Sequence, residues 1–405
     1  MIQRWISKKV EEALRFRRGV NLTGARQVGK TTLCGMLNLP NARHFSLDDE
    51  MTRNAALSDP KSFVAHAEGE TLLIDEIQKA GVLLNAIKEI VDHDNAKGQY
   101  LVTGSASLRF AKSVSDSLAG RLAHIRLRSL ALGELTSSKP DFLAASFAQE
   151  WTTPAGRLNK RDVIHLAFQG GYPEAREIPE GPRRDWYRDY LADLIKKDIR
   201  DVTEIRKLNV LKSAATELLA YTGQFFPVEE LAQKCGVARV TLDGYLNALE
   251  AIYVFDRVPA WHKSDYDRIG RRSKWYAADT GLVANLLRWK EDDVYLDGKK
   301  NGKLVETWVY HELSAQASVS GEYEIMQYRD RERREIDFVV ENGQGETLGI
   351  EVKAGAVGPE DFRHLKWFAS NLAKGKFFGI VLYAGDQILS FGKNFHAIPL
   401  ACLGC

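Results

Sequence analysis

Lys30 and Thr31 close a run, Gly24-Ala25-Arg26-Gln27-Val28-Gly29, that polyphosphate chemistry explains residue by residue. Glycines let backbone amides curl around a β-phosphate, and the N-terminus of a following helix favours negative charge. A lysine reaches β and γ oxygens, and a threonine hydroxyl can join a Mg²⁺ shell. The stretch "GVNLTGARQVGKTTL" begins as an apolar run suited to a buried parallel strand and continues into a helical pattern, so the loop from Gly24 to Thr32 has the strand-loop-helix context of a P-loop. ATP is the expected ligand.

A second motif follows. In "TLLIDEIQ", Leu72, Leu73 and Ile74 form a buried strand ending in Asp75 and Glu76. Asp75 is placed to hold Mg²⁺ together with Thr31, and Glu76 to polarise the attacking water of hydrolysis. A further strand, "QYLVTGSAS", ends in Thr103 and Ser105, which belong beside the γ-phosphate if the strands are parallel. Arg121 opens the next apolar run and has two readings, an arginine acting on the γ-phosphate of a neighbouring subunit or an ordinary surface ion pair.

A different chemistry is written near the other end. "EIDFVVENGQGETLGIEVK" puts Asp337 at the head of one strand and Glu351 and Lys353 on one face of the next, since side chains alternate along a strand. Two carboxylates at one edge suit Mg²⁺ or Mn²⁺, and Lys353 can orient or help deprotonate water. Glu306, on the preceding helix-like stretch "GKLVETWVYHELSAQ", is a candidate third oxygen ligand.

Two resemblances rest on these residues. The order "LTGARQVGKTTL", "LLIDEIQ", "LVTGSAS", "SLAGRL" and "GGYPEA" resembles AAA-type ATPases, in particular a bacterial and archaeal group that joins such an ATPase to a C-terminal domain. A helix with Glu306, then Asp337, then Glu351-x-Lys353 is similar to the core of restriction-endonuclease-like nucleases, with Ile336 where many carry proline. The implied fold class is α/β: a P-loop NTPase parallel sheet, a helical lid, a winged helix and a restriction-endonuclease-like α/β domain. The C-terminal charges then form either an active nuclease site or an ion-pair network in a fold kept for binding.

The elements that position these groups divide 405 residues into several units. We expect an ATPase core with an N-terminal helix at 1–136 and a helical lid at 137–207. A winged helix-turn-helix follows at 208–262 and the nuclease-like domain at 263–405. In the lid, "DWYRDYLADLIKKDIRDV" places Trp186, Tyr187, Tyr190, Leu191, Leu194 and Ile195 on one broad face, and "GGYPEA" reads as a structural corner. The winged-helix stretch turns at Gly236 and runs a second helix from about Val240 to Leu249 into a strand with Tyr253, Val254 and Phe255. That helix offers Arg239, Thr241, Asp243, Asn247 and Glu250, a set whose acidic members weaken base reading and equally suit a module that packs against protein. Lys263, Arg268, Arg271, Arg272 and Lys274, interleaved with Tyr266, Trp275 and Tyr276, suit a phosphate backbone or a solvated linker face.

Composition limits the rest. With 56 basic and 54 acidic residues the net charge is +2, so any nucleic-acid surface is a local patch. No apolar run is long enough for a membrane helix and the N-terminus lacks a signal-peptide core. Cys34, Cys235, Cys402 and Cys405 read as reduced thiols, with a Cys402–Cys405 disulfide as the alternative. A cytoplasmic, homo-oligomeric ATPase motor or switch is expected, with nucleic acid as partner, DNA more than RNA. The competing expectation is an ATP-regulated signalling or assembly protein whose terminal domains bind proteins.

Overall fold

The computed structural model describes residues 2–66, 68–105, 120–153, 156–202, 205, 207–263 and 272–405, the side chains of 200–202 aside. Five short runs in the first 126 residues become parallel strands: β1 (Gly19–Thr23), β2 (Ala42–Ser46), β3 (Thr71–Asp75), β4 (Tyr100–Gly104) and β5 (Leu122–Arg126). Their order is β2-β3-β4-β1-β5. β1 and β4 are buried along their whole length, as a parallel strand covered on both faces requires. The N-terminal helix Ser7–Phe16 covers one face, burying Val10 and Leu14, and Leu83–His93 covers the other with Leu84, Ile87 and Val91.

Beyond the sheet the chain becomes helical. The longest element of this region, Glu180–Val202, buries Tyr187, Tyr190, Leu191, Leu194 and Ile195, while Trp186 is only partly covered. The "GGYPEA" corner is tight for a stated reason: a Cβ on Gly171 would sit 2.5 Å from the Leu130 carbonyl, and Gly170 takes φ 68 with Asp279 2.3 Å from where its Cβ would be. Asp279, itself buried, accepts from Ser129 Oγ (2.8 Å), Gly171 N (2.7 Å), Gly281 N (2.9 Å) and Tyr187 OH (3.2 Å).

Helices Leu208–Leu219, Val228–Lys234 and Arg239–Ala251 follow, then an antiparallel pair, β6 (Phe255–Val258) and β7 (Lys274–Ala277). Residue 263, the expected start of the last unit, therefore falls between two paired strands. The helices after β7, Thr280–Leu286 and Glu291–Leu296, pack on Lys160–Gln169 and the first of them on Glu180–Val202. Tyr266, Arg268 and Arg271 lie outside the described residues. Of the described basic and aromatic group, Lys274, Trp275 and Tyr276 are buried, while Lys263 and Arg272 are exposed. Tyr253 sits in a turn at φ 61 and the strand begins at Phe255.

The last unit runs as helix Gly298–Ser320, strands β8 (Glu324–Arg329), β9 (Glu335–Glu341) and β10 (Thr347–Lys353), helix Arg363–Asn371, then β11 (Phe377–Tyr383), β12 (Leu389–Gly392) and β13 (Phe395–Pro399). The six strands lie in the order β12-β13-β11-β10-β9-β8, with β10 and β11 parallel and β9 antiparallel to both its neighbours. One apolar cluster runs from the inner face of the first sheet through the helices to the inner face of this one. Lys9 donates to the Ser318 carbonyl (2.5 Å) and Gln316 to the Leu403 carbonyl (3.1 Å), so the N-terminal helix and residues near 403 both pack on helix Gly298–Ser320, and Thr136 bonds the Gly404 carbonyl (3.1 Å). All four cysteines are free thiols, which removes the Cys402–Cys405 disulfide. No helix among the described residues is long and apolar enough to cross a membrane.

Asp256 on β6 is the ionic centre of this packing. It accepts from Arg126 and Arg128, both at 2.6 Å, and from Tyr310 OH at 3.1 Å. Burial alone raises a carboxyl's pKa, but the two guanidiniums outweigh it and hold Asp256 well below the usual carboxylate range. A carboxyl so depressed contributes stability above its unfolded pKa of about 4 and loses it as pH falls. Asp256→Ala is expected to cost about 3–5 kcal/mol at pH 7 by leaving two guanidiniums uncompensated, the difference shrinking below about pH 4. Urea unfolding at both pH values measures it.

Candidate functional site

The P-loop leaves the C-terminal end of β1 and enters helix Lys30–Met36. Gly24 is required: a Cβ there would lie 2.3 Å from the Leu127 carbonyl. Gly29 and Gln27 take the left-handed values φ 97 and φ 60 that curl the loop. Lys30 is buried and its ammonium donates to the carbonyls of Gly24 and Ala25, both at 3.0 Å. Burial pulls its pKa below the ordinary lysine value, while Glu76 and Asp75 oppose that shift.

Parallel register brings the other sequence motifs to the same edge. Thr31 Oγ1 donates to Asp75 Oδ2 (2.7 Å), and Thr103 Oγ1 donates to Asp75 Oδ1 while accepting from Glu76 N (3.2 Å). Glu76 adopts φ 58, an uncommon conformation for a residue with a side chain, at the end of β3. Gln78 bonds the Glu76 carboxylate and also donates to Ser105 Oγ (3.0 Å), and Ser105 donates to Asp198 (3.4 Å). The oxygen donors of Thr31 and Asp75, side by side, are of the type that Mg²⁺ takes.

Three side chains that the motifs did not single out hold the loop from outside. Arg26 forms a forked pair with Asp198 on helix Glu180–Val202 (2.7 and 2.8 Å), Tyr190 OH donates to the Arg26 carbonyl (3.1 Å), and Arg4 donates to the Val28 carbonyl (2.7 Å). Burial pushes the Asp198 carboxyl up, against the pull of Arg26. Asp198 lies 172 residues from Arg26 in the chain, so local spacing carried no signal of the pair. Between loop and helix opens a cavity of about 900 Å³, lined by Arg26–Leu33, Glu76, Glu174, Trp186, Tyr190 and Lys197 among others. Thr32 lines it beside Thr31.

Arg121 is not in this site. β5 runs parallel to β1 with Leu122 beside Gly19 and Arg126 beside Thr23, so Arg121 stands at the end of the sheet opposite the P-loop. There it pairs with Asp92 through Nε and Nη2, the latter at 2.9 Å.

In the C-terminal sheet, Asp337 and Glu351 do come together: the β9–β10 register continues from Phe338 and Ile350 to them, and Asp337 Oδ2 accepts from Val352 N (2.9 Å). Glu306 joins from the helix. The positive charge among them is Lys274, placed 2.6 Å from Glu335, 3.2 Å from Glu306 and 3.9 Å from Asp337. Lys353 instead pairs with Asp361 at 3.6 Å. Burial raises Glu306 to about 7, against the pull of Lys274, and raises Glu351 well above the usual range, reinforced by Asp337. Among the described residues no group of three or more His, Cys, Asp or Glu is placed to hold a metal ion. The donors are of the right kind, but a lysine ammonium stands where a metal ion was expected. Neither Lys274 nor Glu335 was singled out as a member of this site.

The helix offered for base reading begins with Arg239 paired to Glu229 (2.7 Å) and Asp243 (3.9 Å).

Residues 17–136 match the AAA domain, residues 160–293 a domain of unknown function (DUF8612) and residues 301–403 another (DUF4143). Uncharacterized proteins of Mycobacterium tuberculosis and Mycobacterium bovis are each 27% identical over 397 residues, 96% of this chain and 83% of theirs. Among solved structures, a Walker-type ATPase of Pyrococcus abyssi aligns over 69% of this chain and 94% of its own at 12% identity and TM-score 0.41. The RuvB Holliday junction branch migration motor of Thermotoga maritima aligns over 70% and 94% at 20% and 0.28. The AAA-domain match and the five-stranded parallel sheet agree on an AAA-type ATPase fold for the N-terminal unit.

Thr103→Val deletes the hydroxyl that joins Asp75 to the Glu76 amide. Hydrogen bonds to a charged group are worth about 1.5–3 kcal/mol, so ATP turnover is expected to fall about 10- to 100-fold with nucleotide affinity within about twofold. Turnover assays beside titration with a fluorescent nucleotide check both.

Proposed function

We propose that the chain is a cytoplasmic, Mg²⁺-dependent ATPase of the AAA type that acts as a motor or switch, coupled to a C-terminal nuclease-like domain that binds or cleaves nucleic acid. The observation that carries the ATPase reading is the line of Thr31, Asp75, Thr103 and the Glu76 amide beside a cavity that Thr31 and Glu76 line, between the P-loop and helix Glu180–Val202.

In this reading the loop amides cradle the phosphates, and Lys30 exchanges the carbonyls of Gly24 and Ala25 for phosphate oxygens. Thr31 and Asp75 hold Mg²⁺, which when bound neutralises phosphate charge. Glu76 polarises water, with Thr103 and Gln78 fixing its orientation. Ser105 extends the same hydrogen-bonded line to Asp198.

Coupling follows from Arg26. A γ-phosphate competes with Asp198 for its guanidinium, and a buried carboxylate that loses its partner is costly, so helix Glu180–Val202 must respond. Through that helix the nucleotide state reaches the helix-turn-helix and the unit beyond it. Arg121 acts in a homo-oligomer on a neighbour's nucleotide once released from Asp92.

The second reading, an ATP-regulated signalling or assembly protein with a silent C-terminal site, is favoured by two contacts: Arg239 held by Glu229 and Asp243, and Lys274 seated among the carboxylates.

Lys30→Ala is expected to abolish nucleotide binding, and Glu76→Gln to keep binding while lowering turnover by about 10²- to 10⁴-fold. Arg121→Ala is expected to bind ATP normally and lose most hydrolysis. Labelled DNA and RNA are incubated with Mg²⁺ and ATP in parallel, with a Glu351→Ala/Lys353→Ala variant as control. DNA cleavage or stimulation of the ATPase by DNA supports the first reading, and ATP-dependent oligomerisation without either supports the second.

A further inference from the structure

Lys274 reaches the C-terminal carboxylates from a different unit of the chain. It belongs to β7, whose partner is β6 after the helix-turn-helix, whereas Glu306, Asp337 and Glu351 belong to helix Gly298–Ser320, β9 and β10. Its side chain is 1% exposed and its ammonium contacts Glu335, Glu306 and, at longer range, Asp337. Tyr276, two residues on and on the same face of β7, donates to the same Glu306 oxygen at 2.6 Å.

The same unit covers the site from a second direction. Gly223 donates to the Trp275 carbonyl (2.9 Å), and a Cβ at Gly223 would stand 3.4 Å from the Glu306 carboxylate. Thr222 Oγ1 accepts from Ala277 N (3.0 Å) and meets Thr307 Oγ1 at 2.9 Å. The carboxylates thus belong to helix Gly298–Ser320, β9 and β10, and their counter-charge and cover to segments that precede them in the chain.

An ammonium in this position relieves the repulsion that a divalent ion would otherwise relieve. The two cannot share the site, because like charges a few ångströms apart in a poorly solvated pocket repel strongly. Lys353 pairs with Asp361 at 3.6 Å and from there opposes the upward shifts of Glu351 and Asp337, whereas Lys274 is the ammonium in contact with Glu306 and Glu335.

We propose that Lys274 is a built-in counter-ion that keeps the C-terminal carboxylates closed to divalent metal. The inference rests on reading Glu306, Asp337 and Glu351 as oxygen ligands, and sets metal uptake against a seated Lys274 ammonium.

The test is Mn²⁺ binding to the full chain without nucleotide, followed by electron paramagnetic resonance and calorimetry. Lys274→Met is expected to bind one Mn²⁺ at least about ten-fold more tightly than the natural chain. Adding Asp337→Asn is expected to abolish the gain. Equal affinity in the two proteins, or no Mn²⁺ uptake by a folded Lys274→Met chain, overturns the proposal. If Lys274→Met does not fold by itself, Mn²⁺ is expected to restore its melting transition, because a metal that binds only the native state stabilises it, and failure of that rescue overturns the proposal equally. ATP hydrolysis is measured on the same samples. Loss of ATPase in the natural chain strikes the function proposed above and leaves the Mn²⁺ comparison readable, whereas normal ATPase with no gain of Mn²⁺ affinity strikes this inference alone.

Discussion

One buried carboxylate fixes how the units of this protein sit together. Asp256 takes Arg126 and Arg128 from the exit of the ATPase sheet and Tyr310 from the long C-terminal helix, while itself belonging to the strand after the helix-turn-helix. Taking three charges out of water is expensive, and the arrangement is tolerable only with every partner present. Arg126 also lies over the Tyr253 ring, 4.5 Å from its centre, which orients the guanidinium. The relative motion of units that a nucleotide-driven switch needs must either leave this contact whole or break it outright.

The P-loop is braced in a related way. Arg4 reaches it from the N-terminus, and Tyr190 and Asp198 reach it from helix Glu180–Val202, so its curl is set before any phosphate arrives. Lys30 satisfies its charge on the loop's own carbonyls. Such a loop is preorganised for an anion and at the same time wired to the helix that lines the other wall of the cavity. The C-terminal carboxylates mirror it: an ionic group of one unit completes a polar site of another, with Lys274 in the part that Asp198 plays for Arg26.

The cluster around the P-loop was legible because its signals are local. Gly24 through Thr32 are consecutive, and Asp75, Glu76, Thr103 and Ser105 each end a short buried run whose parallel pairing puts them at one edge. The Asp337–Glu351 meeting was legible for the same reason, since strand alternation and one hairpin suffice. The pairing of β7 back onto β6, on the two sides of residue 263, had no local signal. Asp198, Lys274 and Glu335 stayed hidden: an isolated Asp or Lys on a helix or strand has the same local pattern whether it faces water or a buried opposite charge.

The sequence by itself determined which residues can do chemistry and which strand or loop carries each, because phosphate cradling, hydrolysis and metal ligation each impose residue types at short spacing. Only the tertiary structure decided what stands opposite them. It set Arg121 against Asp92 at the far end of the sheet, Arg26 against Asp198, and Lys274 among the C-terminal carboxylates. The physical reason is that an ion pair depends on distance and dielectric at the contact, and those are created by packing between segments the chain keeps far apart.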